Sequence, residues 1–415
     1  MQNNYLQYAK NLLSYFGASL IPMVMGLVAN PWIAKNMNPE DYAVSGYYTS
    51  FSSLISPIII FYMIHFYIKE YFRRSEEERR LLYAIIAKAT IWFSGLVTAL
   101  CFLGLFVYLK FFNETLSFPI MPYLALMVFA IPLTGLLNLQ LAEYRMKKRA
   151  NAYLRLSAGS GVLNVLLTII LVVWFKWGAF GKLLGPLVCN SIVFALLMWK
   201  MRHVFKIKTT FNEFKKIFIF CLPLAASAML GYFTNGFSTT YLESLGKTTE
   251  YGYYVVGASI AAYLTTFTTA VGNTFQPDLY ETTIKRQWSR YAKFCALQIG
   301  AFIIIAICFI LCAPFIISIL TAGRYVASTP FAQIIALSTV TSGIYYLINN
   351  YSIATNRPRL YLYTSILGSV FIVCMTPWLV RHWGFYGGAW MSVISFVAFS
   401  IINLILLKFS KPKQA

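Results

Sequence analysis

Residues Leu81 to Leu109 run for 29 positions with a single charge, Lys88, and Ala296 to Ala322 run for 27 with none. A bilayer core needs roughly 20 apolar residues per helix. Backbone polar groups in lipid must be satisfied within their own segment, so runs of this length are helices and not strands. The composition agrees: the chain is 59% hydrophobic and 11% charged, whereas soluble globular chains are about half apolar and about a quarter charged.

Twelve spans are expected, at 11–34, 42–68, 81–109, 120–142, 152–174, 179–200, 217–240, 251–275, 294–319, 330–353, 361–380 and 387–408. The loops between them are too short for a soluble domain. No small-residue cleavage pattern follows the first apolar run, so no signal peptide is expected. Seven cysteines lie in or beside spans without a C-x-x-C pair. That pattern argues against a disulfide framework or a zinc site, so they are read as small apolar packing residues, with no metal or cofactor expected.

The basic residues set the orientation. With the N-terminus placed in the cytoplasm, 25 of the 34 Lys and Arg fall in cytoplasmic segments, six on the far side, and three (Lys88, Arg155 and Lys182) inside spans. Such an excess marks the cytoplasmic face, and it puts both termini there. The net charge of +21 is then topology and attraction to anionic lipid headgroups, not a nucleic-acid surface.

The chain also repeats itself. KWGAFGKLLGPL begins at Lys176, and HWGFYGGAWMSV begins at His382; their Trp-Gly pairs lie 206 residues apart. Arg149, Tyr153, Leu154, Ser157 and Val162 match Arg357, Tyr361, Leu362, Ser365 and Val370 at an offset of 208. Pro22 matches Pro223, and Asp41-Tyr42 matches Glu250-Tyr251 at an offset of 209. Matches in the same order, each about 205 ± 5 residues apart, indicate duplication of a six-span unit. An even number of spans inserts both copies the same way round. The expected architecture is therefore an all-α integral membrane protein of two six-helix bundles, residues 1–208 and 209–415, related by a pseudo-twofold axis along the membrane normal. Trp suits the headgroup level and the glycines allow a tight turn, so W-G-x-x-G is read as structural.

Two bundles of six, the D/E-Y start of spans two and eight, and W-G-x-x-G after spans five and eleven resemble the multidrug/oligosaccharidyl-lipid/polysaccharide exporter superfamily. Length, span count and basic inner edges most resemble its polysaccharide (O-antigen or capsule repeat-unit) flippase branch, over essentially the whole chain. The resemblance implies alternation of two halves around a central cavity lined by spans one, two, seven and eight. The implied cargo is an undecaprenyl-diphosphate-linked oligosaccharide, moved from the cytoplasmic to the periplasmic leaflet, and a polysaccharide polymerase of the same pathway is a candidate partner. A multidrug or cation antiporter of the same fold and a peptidoglycan lipid-precursor flippase are the alternatives.

The residues bear on that choice. None of the 13 acidic residues lies in the middle of a span, where an antiporter would be expected to bind its cation or proton. The charges inside spans are cationic, which suits a diphosphate. Lys88 either contacts phosphate or snorkels back to the headgroups; Arg155 and Lys182 carry the same two readings. His65 could titrate near neutral pH and couple transport to protons, or serve as a polar anchor. Asn30, Asn235 and Asn273 either bind sugar or join helices. Tyr48 and Tyr254 either stack on sugar rings or belong to the interfacial aromatic belt. Pro22, Pro31 and Pro223 mark candidate hinges. No Ser/His/Asp set, carboxylate pair or phosphate-cradling loop is present, so no catalytic residue is assigned and an enzyme is not expected.

Overall fold

The computed structural model describes residues 20–71, 74–111, 117–207, 211–265, 267–268, 271–272, 275, 279, 282–283, 285–354 and 359–409. Every regular element among them is helical. Among the described residues eight helices are long and apolar enough to cross a membrane, or nine when one bent pair counts as a single span. The expected span 11–34 falls partly, and the expected span 251–275 in its second half, on residues outside that set. Packing divides the chain into two compact units, Met1–Met229 and Leu230–Ala415.

The first unit starts with α1, residues 20–36. The expected second span is three pieces: α2 (Pro39–Ser50), α3 (Ser52–Ile60) and α4 (Met63–Glu70). Long apolar helices follow: α5 (Glu76–Phe111), α6 (Tyr123–Met146), α7 (Ala150–Ile169) and α8 (Gly178–Lys200). A wider π-helical turn over Ile170–Trp174 ends α7. The last member is α9 (Phe211–Met229), which the repeat assigned to the second bundle but which packs on α3, α4 and α5. Its Ile217, Cys221 and Ala225, spaced i, i+4 and i+8, lie in one core with Phe61, Phe66, Ile86 and Leu139. Phe218 stacks on the Phe61 ring at 4.7 Å.

The second unit begins with two short helices, α10 (Gly231–Asn235) and α11 (Phe237–Leu242). They lead to α12 (Thr248–Ala261), α13 (Trp288–Leu320), α14 (Thr329–Ala354) and α15 (Arg359–Phe409). α14 is central and packs on α12, α13 and α15. The 51 residues of α15 are not one rod. Gly384 has φ 54 and ψ −133, and a Cβ on Gly368 would strike the Phe399 ring. In a straight helix residues 31 apart would be separated by about 46 Å, so α15 doubles back at Gly384 and provides both expected crossings 361–380 and 387–408.

Both units turn large apolar side chains outward. Trp92, Leu311, Phe315 and Trp199 are each at least 70% exposed. A soluble chain buries such residues; on long helices of this composition they form a lipid-facing surface.

Candidate functional site

The W-G-x-x-G motif has a mechanical role in the first unit. Gly178 adopts φ +44, and a Cβ there would run into the Asp41 carboxylate. Only glycine combines that backbone with so close an approach. Asp41 Oδ1 accepts the Ala179 amide N–H at 2.9 Å, at the start of α8, and Oδ2 accepts the Asn38 N–H at 2.9 Å, at the start of α2. One carboxylate thus serves two helix N-termini, each of which exposes unpaired N–H groups and a positive dipole end. The two repeat motifs singled out in the sequence, D-Y and W-G-x-x-G, are the two sides of this contact. In the second unit Gly384 keeps a left-handed φ, but Glu250 forms an exposed ion pair with Lys247 at 3.3 Å.

The cations inside spans find different surroundings. Lys88 Nζ donates to the Ile207 carbonyl at 2.6 Å, which ties mid-α5 to the segment before α9. Lys182 Nζ lies 4.1 Å from the Tyr42 ring centroid and within electrostatic reach of Asp41. Arg155 lines an open cleft, together with Lys148, Arg149 and Lys200.

The polar candidates divide similarly. Tyr48 is fully enclosed, donates to the Pro119 carbonyl at 2.8 Å and stacks on Tyr123. Tyr254 is enclosed against Phe331 and Tyr251 and is hydrogen-bonded to Thr239. Neither ring is presented to a sugar in this conformation, because each fills the inner face of its helix. Asn30 is half-buried on α1 with a partner of its own. The side chains of Asn235 and Asn273 lie outside the described residues. Asn190 joins α8 to α6 through the Ala130 carbonyl at 3.2 Å, the helix-joining role expected of such groups in lipid.

Helical geometry continues through Pro31 and Pro223, and Pro22 packs on Gly161 of α7. The sharp break is elsewhere. Phe61 and Tyr62 both have left-handed backbone, φ 53 and 51, and the chain bends by 52° between the α2–α3 segment and α4. Two consecutive aromatic residues in that region are strained, by about 1–2 kcal/mol each. The break is held by its surroundings: Phe61 is sandwiched by Phe218 and Phe93, and the Cys221 thiol donates to the Tyr62 carbonyl at 3.6 Å. His65 is exposed on the far side of the break, its ring 4.9 Å from that of Tyr62. Sequence reasoning missed this feature; its signal is Pro57 inside α3, which has no N–H to donate to the Ser53 carbonyl one turn back.

Among the described residues, carboxylates occur at helix ends and turns. Glu143, in the last turn of α6, binds the Tyr67 hydroxyl and Lys147. Glu243 is buried, but in the turn after α11. Among the described residues no cluster of His, Cys, Asp or Glu could hold a metal ion.

Comparison with known proteins follows from this geometry. The sequence profile of a polysaccharide biosynthesis protein family matches residues 32–330. No curated protein matches the sequence. Among solved structures, the lipid II flippase MurJ in an inward closed conformation is 14% identical with a TM-score of 0.70, covering 94% of this chain and 86% of that one. An inward-facing multidrug resistance MATE family transporter of the MOP superfamily is 11% identical with a TM-score of 0.67, over 94% and 96%. A mutant of a Vibrio cholerae MATE transporter is 14% identical with a TM-score of 0.58, over 98% and 97%. At these identities the likeness is one of fold.

Proposed function

The chain belongs to the polysaccharide biosynthesis protein family, and from that membership we propose that it is a flippase for undecaprenyl-diphosphate-linked oligosaccharide repeat units. It carries them from the cytoplasmic to the periplasmic leaflet by alternating access, for O-antigen or capsule biosynthesis. It is an all-helical, multi-pass membrane protein with the fold of MOP-superfamily transporters, a transporter and not an enzyme. The observation that carries the reading is the family match, which spans 299 of the 415 residues (32 to 330 inclusive). It is supported by the placement of the described carboxylates at helix ends and turns, since a cation antiporter needs a membrane-buried acid to bind its ion. The 25-to-6 division of basic residues supports an inner-membrane orientation with both termini cytoplasmic.

The test is deletion of the gene in its host, with the leaflet distribution of undecaprenyl-linked repeat units as the readout. Accumulation on the cytoplasmic face, with loss of surface polysaccharide, is expected. Unchanged surface polysaccharide together with new drug sensitivity would replace this reading by the antiporter.

A further inference from the structure

The turn between α6 and α7 and the last residue of α8 enclose a cleft of about 680 Å³ on the side of the basic loops. Four cations line it, Lys148, Arg149, Arg155 and Lys200, and no carboxylate does. The first turn of α7 adds its own positive end. Its N-cap is Arg149 without a side-chain cap, and no acidic residue lies in that turn. Helix N-termini normally carry acids, and a cation there is repelled by the dipole. Cations collected at the wrong end of a helix are locally unfavourable, and such violations of local preference mark functional positions.

Among the described residues no carboxylate neutralises this charge. The neighbouring acid, Glu143, is engaged by Lys147 and Tyr67. Among the described residues, none of Lys148, Arg149 and Arg155 forms an ion pair. Lys200 is held in place without being neutralised: its Nζ donates to the Tyr144 hydroxyl at 2.6 Å. Below it on α8, at i−4 and i−8, Leu196 and Ile192 are exposed, and Trp199 beside it is 70% exposed. An outward apolar strip therefore leads away from the basic cleft, with an interfacial Trp at their junction.

We propose that this cleft binds the phosphate of an anionic membrane phospholipid, with its acyl chains lying along the Ile192–Leu196 face of α8. Arginine forks and a helix N-terminus are phosphate-binding groups, and basic pockets between spans at the inner leaflet suit lipid headgroups. The strip of apolar surface favours a lipid over a dissolved anion. The inference stands apart from the identity of the transported cargo.

The test uses the full-length protein in neutral detergent, titrated with short-chain phosphatidylglycerol, phosphatidylcholine, undecaprenyl phosphate or inorganic pyrophosphate, with thermal midpoint and retained lipid by native mass spectrometry as readouts. Phosphatidylglycerol should bind and stabilise, and phosphatidylcholine should not. Arg149→Gln with Arg155→Gln should weaken phosphatidylglycerol binding roughly thirtyfold, about fivefold for each cation removed. Arg155→Lys should retain most of it, and Lys215→Gln, outside the cleft, should leave it unchanged. Equal binding of phosphatidylcholine, or unchanged binding by a double variant that keeps the parent midpoint without lipid, would overturn the proposal. So would pyrophosphate matching the effect of the lipid, which would make the cleft a site for dissolved anions, or strong preference for undecaprenyl phosphate, which would make it a cargo site.

Discussion

Replacing Asp41 with Ala removes one carboxylate from two helix starts. The N–H of Ala179, at the start of α8, and that of Asn38, at the start of α2, each lose a 2.9 Å acceptor. Loss of an N-terminal cap costs about 0.5–2 kcal/mol, and loss of a negative charge at a helix N-terminus a further 0.3–1 or so. Lys182 also loses the negative charge beside it. The sum is about 2–4 kcal/mol. At the equivalent repeat position, Glu250 makes an ion pair with side chains 65% and 53% exposed, and such a pair contributes less than about 0.5 kcal/mol. Thermal unfolding of both variants in detergent tests the difference. For a unit of some 200 residues, about 2–4 °C per kcal/mol gives a drop of roughly 4–16 °C for Asp41→Ala and about 2 °C or less for Glu250→Ala. Asp41→Asn, which keeps an acceptor without the charge, should fall between. Equal shifts for the two alanine variants would refute the claim that one repeat uses its acid as a double cap and the other does not.

Gly178→Ala meets both a left-handed backbone and the Asp41 carboxylate, whereas Gly384→Ala meets only the backbone, with nothing within 4 Å of its Cβ. Gly178→Ala should therefore lower the midpoint by more than backbone strain alone, whereas Gly384→Ala costs the strain of a backbone (φ 54, ψ −133) open essentially to glycine, about 1–3 kcal/mol. Lys88→Met leaves the Ile207 carbonyl without its donor and should cost about 1–3 kcal/mol in chemical denaturation; weakened cargo binding by a variant of intact stability would instead give Lys88 a phosphate contact. Tyr62→Gly relieves a left-handed backbone and should leave the midpoint level or raise it. A transport assay on that variant reads whether the bend between α3 and α4 must be held for the cycle, and a marked loss of stability would show that the Tyr62 ring, not the backbone, dominates there.

Much of the architecture is legible in the sequence because lipid imposes one rule on every segment: an apolar run of sufficient length is a helix. Positions of charge then report sidedness. The double-back at Gly384 was legible too, since W-G-x-x-G marks the turn between the expected spans eleven and twelve. The break at Phe61–Tyr62 was not, because aromatic residues prefer other backbone and occupy that one only where α9 and α5 clamp them. The packing of α9 on the first unit was equally hidden, since duplication describes ancestry and not which surface a helix covers. The candidate site was the least legible part. Tyr48 read as a sugar-stacking or interfacial ring and Lys88 as a phosphate contact or a snorkelling cation, and they are bonded to carbonyls 71 and 119 residues away respectively.

By itself the sequence determined that this chain crosses a membrane as helices, for that depends on composition and order along the chain. The tertiary structure alone decided what each polar or charged side chain does. A polar group on a helix with apolar residues all round carries no indication of which neighbour it faces, and in a medium without water it binds whatever donor or acceptor the packing brings near. Asp41 met the start of α8 and Lys88 a distant segment, while Arg149 and Arg155 line one cleft with Lys148 and Lys200.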